Sequence, residues 1–197
     1  MAALLAALLG LAAVSGCRQD GAARGPVRSP FTGERTQPAP VPAVKIDNVR
    51  PARPRTGIGS ADLVYVEQAE GGLSRILAVF SSHPPATVGP VRSARESDLD
   101  PLRQFGRPAL AYSGVQSALR PAVEGAPLYA LPPGMADSAY VRGRGRQAPH
   151  NLYLHPEAAL GLRWSRPGRS GGTTFTTPDG DRPAFARGPV RVVHAAR

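Results

Sequence analysis

Two apolar runs on either side of a Gly-Gly pair constrain this chain more than any other stretch. They read Asp62-Leu-Val-Tyr-Val-Glu67-Gln-Ala-Glu70-Gly71-Gly72-Leu-Ser-Arg75-Ile-Leu-Ala-Val-Phe80. β-Branched and aromatic residues flanking paired glycines signal a β-hairpin. With Gly71 and Gly72 as the two loop residues, counting sets Val66 against Leu77 and Val64 against Val79 on one face. Leu63 then meets Phe80 and Tyr65 meets Ala78 on the other, and Gln68 falls opposite Arg75. Apolar residues on both faces predict a hairpin inside a sheet that is covered on both sides. The polar exceptions, Glu67, Gln68, Glu70 and Arg75, gather near the turn and make that corner the candidate site.

Upstream, Ala43 to Asn48 reads as a short strand with Val44 and Ile46 on one face. Asp47 and Asn48 fall at its carboxyl end, where α/β sheets place site residues; a side-chain-stabilised Asx turn is the competing reading. Arg50 to Gly59 is rich in Pro, Gly and Arg and is a basic loop. Downstream, Gly89-Pro-Val-Arg92-Ser93-Ala-Arg95-Glu96 carries Ser93 and Glu96 at capping-box spacing, which predicts a helix beginning near Ser93. The free N–H groups at such a start favour an anion, and Arg92 and Arg95 add charged donors. In the functional reading these residues form a carboxylate or phosphate pocket. In the structural reading the arginines pair with Glu67, Glu70 or Asp98 and hold the fold together.

The remaining segments are shorter. Pro108 to Gly114 predicts a strand, Val115 to Glu124 a helix interrupted by Pro121, and Leu128 to Tyr140 a loop. Arg142 to Arg146 is a basic stretch expected to be solvated, and a short helix is expected over His155–Leu162. Pro101 is expected to kink or restart a helix that Gly106 ends. His150 and Asn151 follow the basic stretch as further candidate ligand contacts. Asp47, Asp62, Glu67, Glu70 and His150 have no spacing that demands a metal, so neither metal nor cofactor is expected.

The chain resembles the YerB-like lipoproteins, whose N-terminal domain has no known function. The resemblance rests on Ile46-Asp47-Asn48, Arg53-Pro54, Gly57, Ala61-Asp62, Val64-Tyr65, Glu67, Glu70-Gly71-Gly72, Arg75, the run Gly89 to Arg95, and Ala148-Pro-His150-Asn151-Leu-Tyr153. It covers roughly Val41 to Leu162. It implies an α/β domain, a lipid anchor and an extracytoplasmic setting, and no established reaction. Family members usually carry a longer second domain, so that domain is expected to be missing or truncated here.

The fold expected from all this is α/β: a mixed sheet around a central hairpin covered on both faces, in a single main domain. Residues 1–16 are small, apolar and uncharged, and are too short to span a bilayer. They fit a secretory signal, and Val14-Ser-Gly-Cys17 resembles a bacterial lipobox. Cys17, the only cysteine, is therefore the expected site of lipidation by diacylglycerol and palmitate-type chains, which leaves no thiol for a disulfide or for catalysis. Residues 17–42 are a Pro-rich tether, 43–162 the α/β domain, and 163–197 an extension containing one strand, Pro189 to His194. That strand either adds to the main sheet or opens the second domain.

Lys and Arg number 24 against 14 Asp and Glu, for a net charge of +10, and Lys45 is the only lysine. Such a balance suits anionic lipid headgroups, wall polymers or nucleic acid. Aromatics are few near the basic residues and no nucleic-acid motif is present, so a nucleic-acid partner is not expected. Three functions remain. One is a membrane-tethered module binding an anionic small molecule or wall polymer through Asp47, Asn48, Arg53, Glu67, Glu70, Arg75, Arg92, Ser93, Arg95, His150 and Asn151. The second is an envelope hydrolase using Glu67 or Glu70 with His150. The third is a scaffold for a protein partner.

Overall fold

A computed structural model of the chain describes residues 41–161 and the backbone of 190–193. The expectations for the leader, Cys17 and most of the tether lie outside the described residues. The predicted hairpin forms, from β2 (Leu63–Gln68) and β3 (Ser74–Val79). Strand β1 (Pro42–Asp47) pairs antiparallel with β3, and β4 (Ala109–Ala111) pairs parallel with β1. Strand β5 (Tyr129–Leu131) extends this edge in parallel. At the other edge β8 (Val190–Val193) pairs parallel with β2, so the tail strand adds to the main sheet. The sheet order is β5-β4-β1-β3-β2-β8, and β6 (Tyr140–Arg142) with β7 (Leu152–Leu154) form a separate two-stranded sheet.

The mixed sheet, with its central hairpin covered on both faces, is as expected. Val44, Ile46, Val64, Ile76, Ala78 and Phe80 pack one face against Val88, Val91, Leu152 and Leu154. Ala43, Leu63, Tyr65, Leu77 and Val79 pack the other against Leu102, Phe105, Val123 and Leu128. Those partners come from α1 (Leu99–Arg103), α2 (Arg120–Gly125) and the turns after them.

The hairpin register differs from the counted one by a residue. Leu63 pairs with Val79, Tyr65 with Leu77, Val66 with Ile76, and Glu67 rather than Gln68 with Arg75. The reason is the loop. Gly71 and Gly72 both take positive φ (67° and 71°) but sit inside a longer turn closed by a 2.7 Å bond from Ala69 N to Leu73 O. A one-residue slip exchanges which side chains face each other, and it sets Glu67 opposite Arg75.

Several local expectations need correction. The helix expected near Ser93 begins later: Arg95 is the cap of a 3-10 turn over Glu96–Asp98 that leads into α1. The Asp98 carboxylate accepts from Arg95 N at 2.6 Å, so the capping pair is Arg95 and Asp98 rather than Ser93 and Glu96. Helix α2 starts at Arg120, with Pro121 tolerated in its first turn, rather than at Val115. The segment expected as loop contains β5 and the start of β6. The basic stretch is partly held: Arg142 donates to Asn151 Oδ1 and Arg146 to the Tyr153 hydroxyl, each at 2.8 Å. Helix α3 (Pro156–Gly161) forms within a residue of its expected bounds, and Gly106 ends the α1 segment at φ 72°.

One glycine is fixed by packing. Gly89 has φ 155°, and a Cβ there would lie 2.9 Å from Leu152 O and 3.0 Å from a Tyr153 ring carbon. Gly89→Ala is expected to lower stability by about 1–3 kcal/mol, read from a urea melt. A loss within experimental error would contradict the close approach of this segment to β7.

Candidate functional site

The sheet topology builds the site at one end of the central strands. Strands β1 and β2 run to that end and β3 starts from it, so Asp47, Glu67 and Arg75 fall on one rung: Asp47 opposite Arg75, and Arg75 opposite Glu67. Directly opposed residues share a face, and Lys45, two residues before Asp47, shares it too. All four are buried.

The Gly89–Ala94 segment completes the site from the side. It fits between the ends of β1 and β4: Asp47 N donates to Pro90 O and Arg92 N to Lys45 O, both at 2.8 Å, while Ser113 N donates to Arg92 O at 2.9 Å. Strand β7 holds the same segment through Val91 N to Leu152 O at 2.6 Å. This places His150, just ahead of β7, beside β1 although 103 residues separate it from Asp47.

Asp47 is the hub. Its Oδ2 lies 2.7 Å from His150 Nδ1 and 3.1 Å from Arg92 Nε, and its Oδ1 lies 3.5 Å from Arg75 Nη1. The carboxylate is fully buried, whereas the Arg92 and His150 side chains are each 23% exposed. A buried carboxylate needs such partners, and charge-assisted bonds of this kind are strong. Burial lowers the Arg75 pKa, the Asp47 charge opposes that, and Arg92 and Arg95 add to the lowering. Guanidinium groups are thus close enough to repel one another. Among the described residues the terminal nitrogens of Arg92 have no hydrogen-bond partner.

Beneath the hub lies a second cluster. Lys45 Nζ donates to Glu67 Oε2 and, at 2.5 Å, to Asp98 Oδ1, with all three side chains out of solvent. Ser97 Oγ also donates to Glu67 Oε2 at 3.0 Å, while Glu67 Oε1 is buried without a hydrogen-bond partner. Desolvation pushes the Asp98 carboxyl up to about 7; Lys45 pulls against this and Glu67 reinforces it.

The candidate residues therefore separate into groups. Asp47, Arg75, Arg92 and His150 converge. Asn48 sits beside them, its amide donating to Ser74 Oγ at 2.7 Å and its Oδ1 accepting from Arg55, and Arg53 donates to Asn48 O at 3.1 Å. Glu67 belongs to the buried lysine cluster. Glu70 is exposed and pairs with Arg95 at 3.1 Å, and hydrogen bonding together with Arg95 holds its carboxyl below the usual range. Ser93 caps nothing, and Asn151 ties Arg142 to Gly143 O. Asp62 stands at the opposite end of β2, accepting from Ser82 N at 2.8 Å. No group of three or more His, Cys, Asp or Glu suited to a metal ion occurs among the described residues.

Sequence reasoning passed over Lys45, Ser97 and Arg55, and it gave Asp98 only a pairing role. Lys45 carried a usable signal: a lone lysine between Val44 and Ile46, in a strand covered on both sides, must be paired inside the protein.

Residues 28–163 match the model of a family described as "Protein of unknown function (DUF3048) N-terminal domain". The chain belongs to this family. It is 35% identical over 132 residues to "Putative lipoprotein YerB" of Bacillus subtilis (strain 168), an alignment covering 64% of this chain and 40% of that protein. The crystal structure of the YerB protein from Bacillus subtilis matches with a TM-score of 0.67 at 27% identity, over 77% of this chain and 55% of that one. The resemblance read from the motifs is confirmed, and so is the α/β fold. The chain spans about two fifths of the curated relative's length. No helix of the described residues is long and apolar enough to cross a membrane.

Proposed function

We propose that the chain is a lipoprotein, anchored through Cys17 at the extracytoplasmic face of a membrane, whose DUF3048 domain binds an anionic envelope ligand at the Asp47 hub. The observation that carries this reading is the charge balance there. Two guanidinium groups and an imidazole share one buried carboxylate, so positive charge exceeds negative even with His150 neutral. Arg92 and His150 are the two partly exposed members, and the terminal nitrogens of Arg92 form a fork suited to a carboxylate or phosphate. Asp47 orients both without cancelling them. The relative's name supports the anchor. The anchor is tested by mass spectrometry of the mature protein, which is expected to begin at a diacylated Cys17; an unmodified amino terminus there would contradict it.

Ligand binding is tested by thermal shift with phosphate, phosphate esters and carboxylates, comparing wild type with Arg92→Ala. A ligand at a hundred times its Kd adds about 2.7 kcal/mol to the native state, a shift of several degrees. The wild-type shift is expected to vanish in the variant, and equal shifts in both would contradict the site.

A hydrolase is the second reading, favoured by the bond from His150 Nδ1 to Asp47, which leaves Nε2 available as a base. Glu67 is a poor base because Lys45 and Ser97 occupy Oε2. Turnover of phosphoesters by wild type and not by His150→Gln would support this reading; turnover retained in the variant would remove His150 from it.

A further inference from the structure

We propose that the ligand is an extended polyanion, and that it lies across an acid-free arginine face formed by the loops on either side of the Asp47 hub. This rests on the anion-binding reading above and extends it from one charge to several. The inference comes from the distribution of charge and not its total. Residues 48–61 contain Arg50, Arg53 and Arg55 and no Asp or Glu; residues 141–156 contain Arg142, Arg144 and Arg146 and again no Asp or Glu. The two loops lie side by side, because Arg146 Nη2 donates to Pro54 O at 2.8 Å. Both run into the hub. Asn48 follows Asp47 and receives bonds from Arg53 and Arg55, and His150 ends the second loop on Asp47 itself.

Elsewhere acids reach several of the arginines: Asp47 bonds Arg75 and Arg92 without cancelling both, Glu70 pairs with Arg95 and Asp100 with Arg103, while Arg107 stacks on the Tyr129 ring and Arg120 forms no ion pair among the described residues. Among the described residues none of the six loop arginines forms an ion pair. Burial lowers the Arg55 pKa, and the neighbouring Arg53 charge adds to the lowering. Arg50, Arg53, Arg142 and Arg144 are exposed. Guanidinium groups spread along two joined loops fit a chain of regularly spaced anions better than a single small one.

Two other partners fit less well. Single-stranded nucleic acid is held by aromatic stacking as well as charge, and residues 48–61 carry no aromatic residue while residues 141–156 carry only Tyr153, whose hydroxyl accepts from Arg146. A bilayer surface would also attract arginines. However, the face lies at the Asp47 end of β1, whereas the residues leading from Cys17 join at Pro42, about 17 Å away along the strand. The face therefore lies at the opposite end of β1 from the entering chain.

The test uses the full chain in a zwitterionic detergent and measures binding to long-chain polyphosphate, inorganic phosphate, phosphatidylglycerol vesicles and single-stranded DNA at several salt concentrations. The variants are Arg92→Gln and the triple exposed change Arg50→Gln, Arg53→Gln, Arg144→Gln, which removes no buried contact. Wild type is expected to bind polyphosphate at least about tenfold more tightly than inorganic phosphate, with a steep salt dependence. The triple variant is expected to lose that advantage, its log–log salt slope falling by roughly three, one for each contact removed. Polyphosphate binding unchanged in the triple variant would overturn the proposal, as would tighter binding to vesicles or to DNA than to polyphosphate. Loss of inorganic phosphate binding in Arg92→Gln alone tests the hub separately. If wild type fails to bind inorganic phosphate while the triple variant still loses polyphosphate, the hub reading fails and the face stands.

Discussion

Lys45→Met is expected to lower stability by about 3–5 kcal/mol at neutral pH, enough to unfold much of the protein at 37 °C. The methionine fills most of the lysine volume, so the loss comes from charge and not from a cavity. Lys45 is the shared cation of Glu67 and Asp98, and all three side chains are excluded from water. Without it two carboxylates are left buried together, repelling each other, with Glu67 Oε1 already lacking a partner. Leaving a buried charge uncompensated costs far more than the intact pair contributed. Adding Glu67→Gln to Lys45→Met is expected to recover part of the loss, because the two sites are coupled. Lowering the pH is expected to narrow the gap between Lys45→Met and wild type as the stranded Asp98 carboxylate protonates. Urea melts at pH 7 and pH 5 measure all of this. A loss below about 1 kcal/mol would mean that the cluster is solvated and plays little part in the fold.

The second large effect is the pH dependence carried by Asp98. Its carboxyl is raised from 3.8 to about 7, chiefly because burial penalises the charged form. The folded state therefore holds this proton more tightly than the unfolded chain does. The associated stability is fully present below pH 3.8 and is lost as pH rises toward and through 7, by about 4 kcal/mol in all. The groups facing this carboxyl are the Lys45 ammonium, the Glu67 carboxylate and the Arg95 backbone N–H. Asp98→Asn removes the titration but keeps only one of the two acceptor oxygens, so it loses a hydrogen bond of about 1 kcal/mol. Wild type is accordingly expected to be the more stable protein near pH 4, and the curves are expected to meet or cross by pH 8. A constant difference between wild type and Asp98→Asn across that range would show that this carboxyl titrates normally.

How far the sequence discloses this arrangement depends on the range of the interaction concerned. The central hairpin is legible because apolar alternation and Gly71-Gly72 are local signals, and its burial on both faces follows from the two apolar stripes. Its register is not, because Ala69 N bonds to Leu73 O and lengthens the turn beyond the two glycines. That single residue decides whether Gln68 or Glu67 meets Arg75. The gathering of Asp47, Arg75, Arg92 and His150 is suggested by residue type, since charged groups within apolar strands need partners. Which partner each takes is set by the Gly89 segment passing between β1 and β4 and by β7 behind it, and neither leaves a periodic trace in the sequence. Arg95 and Glu70 do pair as the structural reading had it, while Glu67 and Asp98 turn instead to Lys45. Short elements such as β5 and β6 escape notice because three residues carry too little pattern to recognise.

The claim on which the functional account depends is that Arg92 and His150, held by one buried carboxylate, form the contact point for an anion. Nitrogen-15 NMR of the arginine and histidine side chains during a phosphate titration measures this directly. The account expects the Arg92 guanidinium and His150 Nε2 signals to move together and saturate with a single affinity, and expects both responses to disappear in Asp47→Asn. Signals of Arg92 and His150 that stay still while other arginines respond would contradict it.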